Sequence, residues 1–137
     1  MGRMKILLDT HVLIWWLFND PKLCSIARTQ ISNPQNAIYV SSASAWEIAT
    51  KHRIGKMPEA EELLQDYQKI LQQARFSELP ITTKHALRAG ALQIKHRDPF
   101  DRMLMAQAEL DNLAIITYDP EFHLDHLVII PPPKKSV

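Results

Sequence analysis

Apolar residues along this chain fall into short runs, separated by stretches whose apolar positions recur at helical spacing. Lys5-Ile6-Leu7-Leu8, Ala37-Ile38-Tyr39-Val40 and Ala114-Ile115-Ile116-Thr117 are brief and apolar at successive positions, as expected of strands covered on both faces. Phe76 to Leu79, closed by Pro80, predicts a weaker strand, and Leu127 to Ile130 a fifth. Helices are predicted between them over residues 10–18, 23–31, 41–53, 83–94 and 99–110, with Asn19-Asp20-Pro21, Asn33-Pro34, Gly55 and Asn112 as stops. Leu63, Leu64, Tyr67, Ile70, Leu71 and Ala74 form the clearest amphipathic pattern and predict one helix from Glu59 to Arg75. Its apolar stripe serves either the core or a partner in an oligomer.

Strands alternating with helices point to an α/β fold with a mostly parallel sheet of four to five strands. Right-handed crossovers place helices on both faces, giving three layers. In such sheets ligands bind beyond the carboxyl ends of the strands, where the strand order reverses.

With 137 residues, 46% hydrophobic and 23% charged, the chain fits one globular domain. That domain is placed at residues 1–130, and the Pro/Lys segment 131–137 is expected to be a loose tail. A net charge of +1 is compatible with a polyanionic partner only if the charges are segregated. Cys24 is the single cysteine, which rules out an intrachain disulfide and suits a reducing compartment. The longest apolar run, Val12 to Phe18, is far below the ~20 residues of a membrane span, and the start is a poor signal peptide. A cytoplasmic protein without a membrane partner is expected.

Four acids then share one rim of the predicted sheet. Asp9 follows the first strand and Asp119 stands two residues past Thr117; Glu47 lies about one turn into the helix after strand two. Asp101 is in the first turn of the helix opened by Pro99. Each has an ordinary explanation. Asp9 or Thr10 can cap a helix, Ser44-Ala45-Trp46-Glu47 matches a capping box, Asp98 can cap with Asp101 as its third-position partner, and Asp119-Pro120 opens a turn. Together they are harder to explain away. Two carboxylates ~4 Å apart repel by ~4 kcal/mol at an effective dielectric of ~20, against ~1 kcal/mol gained per cap. A divalent cation removes that cost, and oxygen ligands without cysteine or an ordered histidine set suit Mg²⁺ or Mn²⁺.

Leu7-Leu8-Asp9-Thr10-His11, Ser44-Ala45-Trp46-Glu47-Ile48, Asp98-Pro99-Phe100-Asp101-Arg102 with Met105-Ala106-Gln107-Ala108, and Thr117-Tyr118-Asp119 resemble the successive motifs of PIN domains. The similarity runs from about residue 5 to residue 130 and is nearest to the VapC-type toxins of bacterial toxin–antitoxin pairs. It implies a three-layer α/β/α fold and metal-dependent endonuclease action on RNA. It also implies a homodimer and inhibition by a cognate antitoxin protein. Asp9, Glu47, Asp101 and Asp119 match the family's acidic quartet, and Asp98 is an extra acid that either ligates metal or only caps. Thr10, Ser44 and Thr117 fall where small polar groups support such a site.

On this reading Asp9 and Asp101 are the principal metal ligands, with Glu47 and Asp119 completing the site directly or through water. Lys51, His52, Arg53, Lys56, Lys95, His96, Arg97 and Arg102 flank the acids in sequence and are expected to bind RNA phosphates. Trp46 is expected to pack in the core, although its place beside Glu47 would also let it stack a base. Trp15 and Trp16 are assigned to core or dimer interface. Three other functions compete. A haloacid-dehalogenase-type phosphatase would share Leu8-Asp9-Thr10 but needs an acid where His11 stands. A silent RNA- or protein-binding module would leave the acids unneutralised. A zinc protein would draw on His123-Leu124-Asp125-His126, which lacks its remaining ligands.

Overall fold

The computed structural model describes residues 3–122, 124 and 127–130. The 131–137 tail, and His123, Asp125 and His126 of the zinc alternative, lie outside the described residues. Five strands, β1 (Lys5–Leu8), β2 (Ala37–Ser41), β3 (Ser77–Leu79), β4 (Ala114–Ile116) and β5 (Ile129–Ile130), form one sheet in the order β3-β2-β1-β4-β5. Every neighbouring pair is parallel. Among the described residues seven α-helices accompany them: α1 (Thr10–Leu17), α2 (Ser25–Ser32), α3 (Ser42–Arg53), α4 (Glu61–Gln65), α5 (Tyr67–Gln73), α6 (Thr83–Ala91) and α7 (Pro99–Asp111).

Alternation along the central strands divides the core in two. Ile6 and Leu8 of β1, Ile38 and Val40 of β2 and Ile116 of β4 pack with Val12, Leu13, Ala27, Ile48, Leu63 and Leu71 on one side. Leu7 and Ile115 face the other way, toward Ala89, Leu92, Leu104, Met105 and Ala108 of the α6 and α7 region. This is the three-layer α/β/α arrangement, with apolar side chains leaving both faces of β1 and β4.

Helix ends follow local chemistry. Ser41 caps α3, its hydroxyl accepting from the Ala43 amide, so Ser44 is not the cap of a Ser44–Glu47 box. The helix begins three residues earlier, and Ser44 is fully buried. Gly55 at φ +81° ends α3, with Lys56 N–H donating to the Lys51 carbonyl and Gly55 N–H to that of His52. Asn112, left-handed at φ 55°, closes α7.

The single helix expected over residues 59–75 is broken instead. A 3-10 turn (Pro58–Ala60) leads into α4, and Asp66 at φ −126°, ψ 33° separates α4 from α5. Leu63 and Leu71 still reach the core from the two pieces. The sequence spacing survives the break because both halves keep their apolar side on the same core.

No helix among the described residues is long and apolar enough to cross a membrane.

Candidate active site

Strand order reverses between β1 and β4, and the chain leaves both strands at the same edge. Asp9 sits immediately beyond β1, its amide bonded to the Ile116 carbonyl of β4. The carboxylate makes no capping hydrogen bond to α1. It accepts a 2.7 Å hydrogen bond from the Thr117 hydroxyl, whose oxygen in turn accepts the Asp119 amide at 3.0 Å. Thr117 therefore ties the acid after β1 to the acid after β4. On the other side, the buried hydroxyls of Thr10 and Ser44 bond at 2.8 Å, joining the start of α1 to the helix that carries Glu47.

Asp9 and Glu47 are only 4% and 2% exposed. Glu47 Oε2 pairs with Lys51 Nζ at 2.5 Å, one turn on, while its buried Oε1 has no hydrogen-bond partner among the described residues. Burial works against the charge of Lys51, but its hydrogen bond to Glu47 and the charges of Glu47, Asp98 and Asp101 outweigh it and hold the ammonium above its ordinary pKa. Asp98 caps α7, one carboxylate oxygen accepting from the amides of Phe100 and Asp101. That settles its capping role and leaves its charge beside Asp101.

Asp101 feels the whole group. Burial, then the charges of Asp9, Asp98, Glu47 and Asp119, push its pKa from 3.8 up to about 8. Asp9 is also raised, chiefly by burial, with the Thr117 hydrogen bond opposing. All four sequence-chosen acids thus share one electrostatic neighbourhood.

His96 departs from its expected place on a phosphate-binding surface. Its side chain is 8% exposed, with Nε2 3.0 Å from Asp101 Oδ2 and 3.3 Å from Asp119 Oδ2. Arg102 departs as well. Its guanidinium donates to the carbonyls of Ala89, Gly90, Leu92, Ile94 and His96, so the fork is occupied by backbone and holds the segment between α6 and α7. The local signal was the polar character of both residues, which reads equally as surface. Lys95, Arg97, Arg53 and Lys56 are exposed, and Lys95 and Arg97 line an open cavity of about 560 Å³ beside His96.

Trp46 is not core. It is 62% exposed, stands edge-on to Phe100 at 4.9 Å between ring centroids, and helps line an apolar cleft of about 180 Å³ with Ala43, Ile81 and Met103. Trp15 and Trp16 are half-buried against the core, and Trp15 meets Tyr118 edge-on at 5.1 Å.

The donors fit a divalent cation. An orphaned carboxylate oxygen on Glu47, a capping-free carboxylate on Asp9 and a carboxyl on Asp101 destabilised by its neighbours all call for positive charge. His96, Asp101 and Asp119 each offer one ligand atom, all within 4.8 Å of one another.

Fold and site together define an α/β/α protein with a carboxylate-lined centre at the switch point of a parallel sheet. Residues 6–124 match the family model described as PIN domain, and the chain belongs to that family, whose members are nucleases. Among solved structures it is similar to a chain of VapBC2 from Rickettsia felis bound to a DNA fragment from their promoter (16% identity, 92% of this chain and 97% of that chain, TM-score 0.66). It is also similar to a chain of a toxin-antitoxin complex from Klebsiella pneumoniae (26%, 90% and 95%, 0.61). VapBC-1 from nontypeable Haemophilus influenzae is a third such structure (23%, 92% and 96%, 0.61). No curated protein matches this chain.

Proposed function

We propose that this PIN-domain protein is a metal-dependent endoribonuclease and the toxin of a toxin–antitoxin pair. Asp9 and Asp101 are its principal cation ligands, and Glu47 and Asp119 complete the site directly or through water. The observation that carries the reading is the burial of Asp9 and Glu47 beside an Asp101 carboxyl raised to about 8. A Mg²⁺ or Mn²⁺ ion held there supplies Lewis-acid polarisation of the scissile phosphate and a lowered pKa for the attacking water. Thr117 orients Asp9 by its hydrogen bond, and Asp98 fixes the start of the helix that presents Asp101. The exposed Lys95, Arg97, Arg53 and Lys56 bind phosphates on either side, giving backbone contacts that position RNA without reading sequence. Trp46 offers a flat face to an unpaired base. Arg102 has no place in this set.

The antitoxin partner rests on the motifs and on the similar structures, two of which are VapBC complexes and one a toxin-antitoxin complex. The homodimer and the cytoplasmic location rest on the resemblance and the composition.

The test is direct. Purified protein is incubated with mixed cellular RNA, with and without chelator, and new ends are mapped. Cleavage is expected with Mg²⁺ or Mn²⁺, and is lost on chelation and in Asp9→Asn and Asp101→Asn variants that keep the wild-type fold. Cleavage that persists in chelator, or in either variant, contradicts the assignment.

A further inference from the structure

We propose that His96 is itself a ligand of the cation, through Nε2, so that the site carries one nitrogen among its oxygens. The inference deepens the cation reading above and rests on it.

The contacts of Nε2 with Asp101 and Asp119 are ion-pair contacts, the latter also a hydrogen bond, and their lengths match the spacing of neighbouring ligands in a coordination sphere. Adjacent ligands ~2.1 Å from an octahedral ion lie about 3.0 Å apart, and Nε2 is 3.0 Å from Asp101 Oδ2 and 3.3 Å from Asp119 Oδ2. The opposite ring nitrogen, Nδ1, is turned to a carboxylate, Glu121 Oε2 at 3.7 Å. That contact is a long ion pair with an exposed carboxylate rather than a hydrogen bond, but it lies on the side where metal-bound imidazoles commonly have a carboxylate, leaving the near nitrogen directed to the ion. Glu47, 2% exposed and paired with Lys51 through Oε2, leaves Oε1 without a hydrogen-bond partner among the described residues, and its charge acts on Asp101, which points independently to a cation near that carboxyl.

The ring is also held still. Phe122 packs edge-on against it at 6.0 Å between centroids. The His96 carbonyl accepts from Arg102 Nη1 at 2.9 Å, and the same guanidinium grips four further carbonyls of residues 89–94. A histidine meant for transient phosphate contacts would gain nothing from such fixing, whereas a ligand gains affinity from it. An imidazole nitrogen shifts a carboxylate site away from Mg²⁺ and toward first-row transition ions.

Mn²⁺ serves as the probe. Purified wild-type protein loaded with Mn²⁺ is measured by pulsed electron paramagnetic resonance, with natural-abundance histidine and with ¹⁵N-histidine. A ¹⁴N coupling that changes on labelling, survives His11→Gln and disappears in His96→Gln is expected. Calorimetry should show Mn²⁺ affinity falling at least tenfold in His96→Gln, by analogy with the ~10–100-fold effects of supporting groups, with Mg²⁺ affinity falling less. Mn²⁺ that binds in an Asp101-dependent way without nitrogen coupling, or with coupling unchanged in His96→Gln or lost in His11→Gln, overturns the proposal while the cation reading stands. Absence of Mn²⁺ binding to the wild type overturns both. If His96→Gln does not fold, His96→Asn takes its place, and a coupling that it leaves unchanged overturns the proposal.

Discussion

Asp101 titrates far from an ordinary carboxyl because burial and four neighbouring acids oppose its charge. Its folded pKa, about 8, stands above the unfolded value near 3.8, so between those limits the folded chain holds a proton that the unfolded chain has released. The stability this group contributes is full below pH ~4 and is lost as the pH rises through about 8; Asp9, also raised, acts in the same sense. In chelator, the midpoint of thermal unfolding should fall from pH 5 to pH 8, less steeply in Asp101→Asn, and Mn²⁺ should restore it at pH 8. An identical pH slope in the variant would remove Asp101 as the cause. At Trp46 the expectation concerns substrate. Stacking of a base is worth ~1–3 kcal/mol, so Trp46→Ala should weaken RNA binding about tenfold, while a residue 62% exposed leaves the melting temperature nearly unchanged. Unaltered RNA affinity would return Trp46 to a packing role against Phe100. The acids were legible in the sequence because Asp9 and Asp119 come just after predicted strands while Glu47 and Asp101 lie within about two turns of a predicted helix start, all at one rim of the sheet. His96 and Trp46 were not: His96 lies in the connection between α6 and α7, which no periodicity describes, and Trp46 stands on the solvent side of α3, where an aromatic residue gives no signal of exposure.

Helix and strand types were read correctly where apolar spacing was continuous, and the error over residues 59–75 has a specific cause. Periodicity records which side chains face the core, and Leu63 and Leu71 do so across a backbone interruption at Asp66 that leaves their phase intact. The start of α3 was placed within one residue, and only the Ser44–Glu47 capping box fails, because Ser41 takes the capping role and Ser44 is buried against Thr10. Arg102 belongs at this scale too, as the clasp of the segment joining α6 to α7. Hydrogen bonds involving a charged group contribute ~1.5–3 kcal/mol each when buried, less when exposed. Arg102→Ala should therefore destabilise the protein by about 3 kcal/mol in denaturant titration, with cleavage falling further than folding alone explains because His96 and Asp101 lose their setting. A variant as stable as wild type would mean that the five carbonyls are served equally well by water.

The whole molecule is organised by its strand order. Placing β1 and β4 side by side at the reversal puts Asp9 beside Thr117 and Asp119, residues separated by more than a hundred positions in the chain. The short apolar runs predicted the layers, and the rule that ligands gather at a reversal predicted the edge. Which strands are neighbours follows from long-range packing, so the contact between the two ends of the chain became visible only in three dimensions. The central claim is that these acids tolerate one another because a cation lies among them. Crystals grown with Mn²⁺ and measured where manganese scatters anomalously test it most directly. A peak bound by oxygens of Asp9 and Asp101, with Glu47 and Asp119 coordinated to it or one water away, is the predicted result. A map with no peak there, and with each of those oxygens instead met by an amide, lysine or arginine, would contradict it.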